Sequence, residues 1–525
     1  MAFSIPTARA FISGGLFAAL TIGVAACPGV ASAQKSKDVL RMALDAPIQG
    51  ISYYLDPQSE TVFETEVVFD NLVIFDEKTL KFEPLLAKSW TQIDPNTLEF
   101  QLRDDIKWHD GQPFTADDVV YTLSWLTDPK TTGIRFKGNW AFIDRVEKTG
   151  PYTVRVISKT PTPFALTRLA YLTSIEAKHA HGKAEDKVVY SATKPVGTGM
   201  YKVLEIDRNK GITVELNKAY KHGGTAKAPS NIGKIQMISL PDSGTRTAQF
   251  MVRNIDMLRA PTLAVAEDMA KAPNVTITMG QGTAFMYMAI DAKGRTGNKP
   301  LTDVRVRRAM MMAVNHDDIQ SFLTGGRDIK GPKAMCWDFQ AGCAYSKPLY
   351  PYDPAAAKKL LAEAGYPDGF DLEITTFVRD NPNSVAQIVG NQLRAIGIRA
   401  SVQGYPTATY RKLQADSKLQ MMVASWTGGG NPDVQGTFEG LYAVPPSRDY
   451  SGDADMIAMA FKSLTIMDPE ERKALGKQIF DRSLDQAYFT PLGPSPGLYV
   501  HGSEVSVEAG AYSAYGINPQ GIRWK

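Results

Sequence analysis

LAKSWTQIDPNTLEFQLRDDIKWHDGQPFTADDVVYTLSWL, residues 86–126, is the stretch on which the reading of this chain turns. Leu98, Phe100 and Leu102 alternate with Glu99, Gln101 and Arg103, the period of a half-buried strand. Asp104-Asp105 turns the chain, and Ile106 and Trp108 start a second short alternation. Asp110-Gly111-Gln112-Pro113 breaks it with turn residues. Thr115 and Asp118 then fit a capping box with Asp in place of Glu. Ala116, Val119, Val120, Leu123 and Leu126 follow at helical spacing. A hairpin feeding a capped amphipathic helix is scaffold. His109 and Asp110 look like an acid–base pair on paper, but no nucleophile is placed near them, so they read as turn residues.

The chain's 525 residues exceed the ~250–300 at which single cores stop growing, so at least two lobes are expected. A hydrophobic share of 44% and a charged share of 22% are those of a globular protein. The net charge of +3 and the lack of a basic cluster give no reason to expect nucleic acid.

Residues 1–33 read as an export signal. Arg9 is a sparse positive start, residues 11–26 form an apolar run rich in small residues, and Ala31-Ser32-Ala33 is an A-x-A cleavage site. Val24-Ala25-Ala26-Cys27 also matches a bacterial lipobox, which would make Cys27 a lipidated first residue. Cleavage after Ala33 is the reading preferred here. In an oxidising compartment Cys336 and Cys343, with six residues between them, suit a small disulfide-closed loop. No further Cys or His lies close enough in sequence to favour a metal site.

The order Trp90, Phe100-x-Leu102-Arg103, then His109-Asp110-Gly111-x-Pro113-Phe114-Thr115-Ala116-x-Asp118-Val119 resembles the signature of family 5 solute-binding proteins, the extracytoplasmic receptors of bacterial ABC importers. Three further stretches resemble the same family: Gly197-Thr198-Gly199-Met200-Tyr201, Pro300-Leu301-Thr302-Asp303 before Val306-Arg307-Arg308-Ala309, and residues 352–370, YDPAAAKKLLAEAGYPDGF. The resemblance implies an α/β, two-lobe periplasmic binding protein fold with a small domain inserted in the first lobe. On this reading residues 34–62, 195–290 and 495–525 form lobe I, 63–194 the insert and 291–494 lobe II. Residues 61–74 read as a helix. Phe285 to Asp291 reads as a strand that begins the crossing to lobe II. A hinged pair of lobes would close on a solute and present it to a membrane permease and its ATPases. The receptor is expected to act as a monomer, with no cofactor and no catalytic residues.

Open α/β sheets bind ligands beyond the C-terminal ends of their strands. That rule selects the loops after Phe377, Val402 and Trp426, and with them Arg379, Tyr405, Tyr410, Trp426, Gly428, Gly429, Gly430, Asn431 and Asp433. The first lobe would add Tyr53, Tyr54 and Ser59. The two tyrosines straddle an extended segment, so one of them faces the cleft. In peptide-binding members the loop after this tryptophan carries an aspartate for the ligand's amino group; here that position is Gly429. Asp433 could replace it only if the loop turns it inward. A peptide or peptide-like solute is the leading reading, with an opine, an oligosaccharide or a metal chelate as alternatives. Six histidines, none in ligand spacing, speak against bare nickel. An exported hydrolase would need G-x-S-x-G, H-E-x-x-H or an acid pair, and the first two are absent. A chaperone-like surface protein would bind unfolded chains broadly and weakly.

Overall fold

The computed structural model describes residues 38–44, 50–55, 65–135, 137–171, 173–207, 210–221, 227, 230–260, 262–378, 380–427, 432–442, 449–510, 517 and 521–525. The export signal, with Cys27 and the Ala31–Ala33 site, lies outside them.

Three sheets carry the architecture. A seven-stranded sheet runs in the order Val275–Gly280, Gly497–Gly502, Met257–Arg259, Val39–Leu44, Lys234–Ser239, Gly211–Leu216, Tyr201–Asp207. A five-stranded sheet runs Arg399–Tyr405, Asp371–Phe377, Met421–Trp426, Phe285–Ile290, Phe489–Pro494. A four-stranded antiparallel sheet, Ala87–Asp94, Thr97–Leu102, Thr153–Ser158, Ile143–Gly150, belongs to the stretch inserted before the first sheet is completed. Helices pack on the first two sheets, which is the α/β arrangement expected from alternating strand and helix patterns.

The opening stretch folds largely as its pattern dictates. Leu98, Phe100 and Leu102 face the core of the four-stranded sheet. Thr115 caps the helix Ala116–Thr127 by accepting from Asp117 N, while the Asp118 carboxylate accepts from Thr115 N at 2.9 Å. The hairpin, however, pairs Thr97–Leu102 with Ala87–Asp94 and not with the residues after it. Ile106 and Trp108 bury their side chains from a turn, where only the bridge Lys107–Pro113 forms. Gly111, at φ +90°, supplies the left-handed residue of that turn.

His109 is not half of a catalytic pair. Its Nδ1 accepts from Gly197 N at 3.3 Å, and its Nε2 donates to the Gly199 carbonyl at 2.9 Å. Burial pushes its pKa down to about 4, so the ring is the neutral Nε2–H form that these two bonds require. Asp110 pairs elsewhere, with His179 Nε2 at 2.6 Å. The Gly197-Thr198-Gly199 turn lies against residue 68: a Cβ on Gly197 would sit 1.9 Å from the Val68 carbonyl oxygen. Thr198 Oγ1 donates to Asp70, whose buried carboxylate pairs with Lys227.

Two boundaries differ from the sequence reading. Of the expected helix over residues 61–74, residues 65–68 are helical, and Val73–Asp76 is instead a strand paired with Lys81–Pro84. The Phe75 and Phe82 rings, 5.3 Å apart, are the cross-strand pair that favours it. Phe285–Ile290 is a fully buried strand of the five-stranded sheet, so the chain crosses between residues 280 and 285 and not after residue 290. The return crossing lies alongside, between Pro494 and Gly497. Ser495 N donates to the Ala284 carbonyl at 2.9 Å, and the two strand pairs on either side, Val275–Gly280 with Gly497–Gly502 and Phe285–Ile290 with Phe489–Pro494, are both antiparallel. The two crossings thus form one two-stranded ribbon.

Candidate functional site

Asp371–Phe377, Arg399–Tyr405 and Met421–Trp426 are parallel, and their C-terminal ends share one edge of the five-stranded sheet. Tyr405 and Trp426 stand there half-buried. Val378, immediately past its strand, is 64% exposed, an apolar side chain left uncovered where the rule for open sheets places a ligand. The Trp426 indole is held from behind. Its Nε1 donates to Thr437 Oγ1 at 3.2 Å, and its ring lies on Gly440, where a Cβ would come within 2.3 Å of a ring carbon. Gly440 belongs to a π-helical turn, Phe438–Tyr442, that continues the short helix Gln435–Thr437; such turns concentrate at functional sites. Gly440→Ala is therefore expected to displace the indole, shifting its fluorescence and costing about tenfold or more in solute affinity, as loss of a buried aromatic anchor does. An unchanged emission spectrum and affinity would show that the ring accommodates the methyl group.

Several residues singled out from the sequence lie away from this edge. Tyr54 is a core residue: its ring packs between Trp125 and Trp140 at 5.5 and 5.2 Å, and its hydroxyl donates to the Ser174 carbonyl. Tyr53, one residue earlier, stays half-buried; the two lie in a turn, with Leu55 N donating to Ser52 O at 3.3 Å, and not in the extended segment expected from the sequence. Tyr410 is also buried, against the Phe377 ring at 4.1 Å. Asp433 is not available as a counter-charge. Both its oxygens take Arg472 guanidinium nitrogens at 2.5 Å, and both side chains are almost fully buried. Ser59, Arg379, Gly428, Gly429, Gly430 and Asn431 lie outside the described residues.

A polar contact near this edge comes from residues that sequence reasoning passed over. Arg168, on the helix Ala165–Tyr171 of the inserted stretch, reaches across to Glu439 of the π-helical turn, Nη2 to Oε2, at 2.5 Å. Its Nη1 donates to Asn139 Oδ1 at 3.0 Å, and Gln435 Nε2 donates to the same Glu439 oxygen. Burial pushes Glu439 toward its protonated form, opposed by the Arg168 charge. Burial of Tyr53 raises its hydroxyl pKa to about 12, with Arg168 again acting in the opposite sense. A signal for the pair was present: each is a lone charge within an apolar run, residues 164–171 (FALTRLAY) and 438–442 (FEGLY).

A small closed loop braces this site. Cys336 and Cys343 form a disulfide, and Ala341 within the loop pairs with the segment carrying Asp433: Ala341 N donates to Pro432 O at 2.8 Å and Val434 N to Ala341 O at 3.1 Å. Gly342 fits against the long helix Pro469–Asp485 because Gly476 has no Cβ; one there would sit 2.0 Å from the Gly342 carbonyl oxygen. Cys336→Ser with Cys343→Ser is expected to lower stability by about 2–3 kcal/mol, the chain-entropy value for so short a loop. Urea midpoints with and without reductant check this: the wild type should fall to the double variant's midpoint on reduction, and equal midpoints throughout would refute it.

Among the described residues no group of three or more His, Cys, Asp and Glu side chains is arranged to hold a metal ion, and no helix is long and apolar enough to cross a membrane.

Comparison with known proteins agrees with this architecture. The heme-binding protein A of Haemophilus influenzae is 27% identical over 447 residues, 79% of each chain. The dipeptide-binding protein of Escherichia coli K12 is 26% identical over 419 residues, 74% of this chain and 75% of that one. The crystal structure of the dipeptide-binding protein of Pseudoalteromonas sp. SM9913 with Met-Leu superposes with a TM-score of 0.76 at 20% identity, covering 93% of this chain and all of that one, and shares its two-lobe fold. A family model, "Bacterial extracellular solute-binding proteins, family 5 Middle", matches residues 81–447. The chain thus belongs to the family 5 extracellular solute-binding proteins, and it is a binding receptor, not an enzyme.

Proposed function

We propose that this receptor captures a peptide or peptide-like solute between its lobes in the periplasm and delivers it to the permease and ATPase subunits of an ABC importer, acting as a monomer. The observation that carries the reading is the meeting of Arg168 with Glu439 beside an edge lined by Val378, Tyr405 and Trp426. It joins paired charges to apolar and aromatic surface, which suits a molecule with polar ends and side chains of mixed character. Several of the relatives support this: besides the dipeptide-binding protein they include glutathione-binding and di/tripeptide-binding proteins. In this reading lobe I holds the seven-stranded sheet, the insert the four-stranded sheet, and lobe II the five-stranded sheet. The mature chain begins after Ala33, and the mass of the exported protein distinguishes this from lipidation at Cys27.

Mass spectrometry of material released by denaturing the purified protein, followed by thermal-shift ranking of di- and tripeptides, tests the proposal, since a solute that binds only the folded state raises apparent stability by mass action. Peptide release and stabilisation are expected; an oligosaccharide, an opine or a metal chelate in the cleft would overturn the peptide reading. Trp426→Ala should weaken binding of the best peptide about tenfold or more while leaving the protein folded, with a single cooperative urea transition. Equal affinity in a calorimetric titration would remove the tryptophan from the site.

A further inference from the structure

The first crossing passes from one large sheet to the other within a single peptide unit. Gly282 is tied to the seven-stranded side: its N donates to the Gly510 carbonyl at 3.4 Å, in the C-terminal stretch whose Val505 packs in that sheet's core. It sits at φ +63°, the left-handed region that favours glycine. Thr283, the next residue, is tied to the five-stranded side. Its Oγ1 donates to the Thr427 carbonyl at 3.1 Å, one residue past Trp426, and its own carbonyl accepts from Trp337 Nε1 at 2.8 Å. Trp337 lies in the core of the five-stranded sheet, its ring edge-on to Phe285 at 6.2 Å. The return crossing is as abrupt: Ser495 N bonds to Ala284 and Gly497 pairs with Gly280, with Pro496 alone between them.

These bonds close a circuit. Trp337 follows Cys336, and the same disulfide loop holds Pro432 and Val434 through Ala341. The crossing residue, the end of the Trp426 strand and the segment entering the π-helical turn therefore hang on one frame. Thr427 is exposed, so its carbonyl takes water if the Thr283 hydroxyl is removed, and the bond matters little to folding.

We propose that Thr283 is a positioning residue for closure, coupling the Trp426 edge to the pivot at Gly282, with Trp337 bracing its carbonyl. Solute seated against that edge then turns the crossing with it, and bending is confined to Gly282 and Pro496. The assignment rests on the edge after Trp426 being the solute site, and not on the chemistry of the solute.

Hydrogen exchange at the Ser495 amide of the mature protein, read by mass spectrometry with no solute added, tests the coupling. Pro494 and Pro496 on either side carry no amide hydrogen, so the Ser495 signal stands apart. Thr283→Val should speed this exchange about fivefold or more, the weight of one hydrogen bond. Thr283→Ser, which keeps the hydroxyl, should match the wild type, and both variants should keep a thermal midpoint near that of the wild type. Trp426→Ala should also speed the exchange, and combining it with Thr283→Val should add nothing, since both cut the same route. Unchanged exchange in Thr283→Val or in Trp426→Ala, or faster exchange in Thr283→Ser, would overturn the assignment. Additive effects would overturn it too, by placing the coupling in the Phe285–Trp426 ladder pair. The solute-site reading fails separately, on an unchanged solute affinity of Trp426→Ala.

Discussion

Arg472→Met is expected to destabilise the protein by about 3–5 kcal/mol, the usual cost of breaking a buried ion pair from one side. Asp433 would be left almost fully buried without the guanidinium that both of its oxygens take, keeping the Gln435 N–H bond to Oδ1 at 2.7 Å. Arg472 also donates from Nε to the Ser463 carbonyl at 3.2 Å, so the change frees a second acceptor. The segment affected is the one that Ala341 and the disulfide loop hold, leading into the turn that carries Glu439. Solute affinity should therefore fall together with stability. Urea unfolding of Arg472→Met, Asp433→Asn and the double variant separates the causes. If the penalty is the stranded charge, the double variant is more stable than Arg472→Met, since removing both partners removes the unpaired group. A double variant whose loss equals the sum of the singles would show that packing, and not charge, sets the effect.

Glu176→Gln should make the protein more stable at pH 8.5 and leave it nearly unchanged at pH 5. Glu176 is buried in the inserted stretch, its Oε2 has no partner, and burial raises its pKa to about 8, opposed by Lys187. The groups around it are phenols and that one amine: Tyr54, Tyr121 and Tyr190 are each pushed further toward the neutral form by its charge. The unfolded chain releases this proton near the ordinary value of 4.5, while the folded protein keeps it up to about 8. Over that window the folded state binds more protons, so stability is full below 4.5, declines as pH rises and levels off above 8. From 4.5 to about 8 the decline amounts to a few kcal/mol, on the order of 5. Glu66, raised to about 7 mainly by burial, declines in the same direction, so the variant flattens the curve without abolishing its slope. Parallel stability–pH curves for wild type and variant would show that Glu176 is already ionised in the folded protein.

Local grammar was legible where a residue acts on its own neighbours. Thr115 and Asp118 announce a helix end because both partners of the capping box lie three residues apart. Asp353-Pro354 and Asp468-Pro469 likewise start helices with a carboxylate cap and a proline in the first turn. Long-range packing was less legible. Nothing in Ile106–Trp108 says that the earlier strand Ala87–Asp94, mostly exposed, is the better partner for Thr97–Leu102. Tyr54 and Tyr410 have the composition of ligand-facing aromatics; only the surrounding Trp125, Trp140 and Phe377 rings show them to be core. Asp433 is acidic in a promising loop, but its partner lies 39 residues further on. Arg168 and Glu439 are 271 residues apart, and each taken singly is only a charge in an apolar run. A charge that interrupts such a run is a sign of a distant partner, and the sequence holds no indication of which one.

The paired crossings between the two large sheets restrict how the protein can move. Because each crossing strand is hydrogen-bonded to its neighbour on both sides of the gap, neither can slide past the other without breaking a ladder. Bending at the gap is the motion such a ribbon leaves open, and the lobes are expected to swing like pages about a spine. Travel then scales with the lever arm, and dyes placed at the rim farthest from residues 281–284 and 495–496 would report solute capture with the largest optical signal.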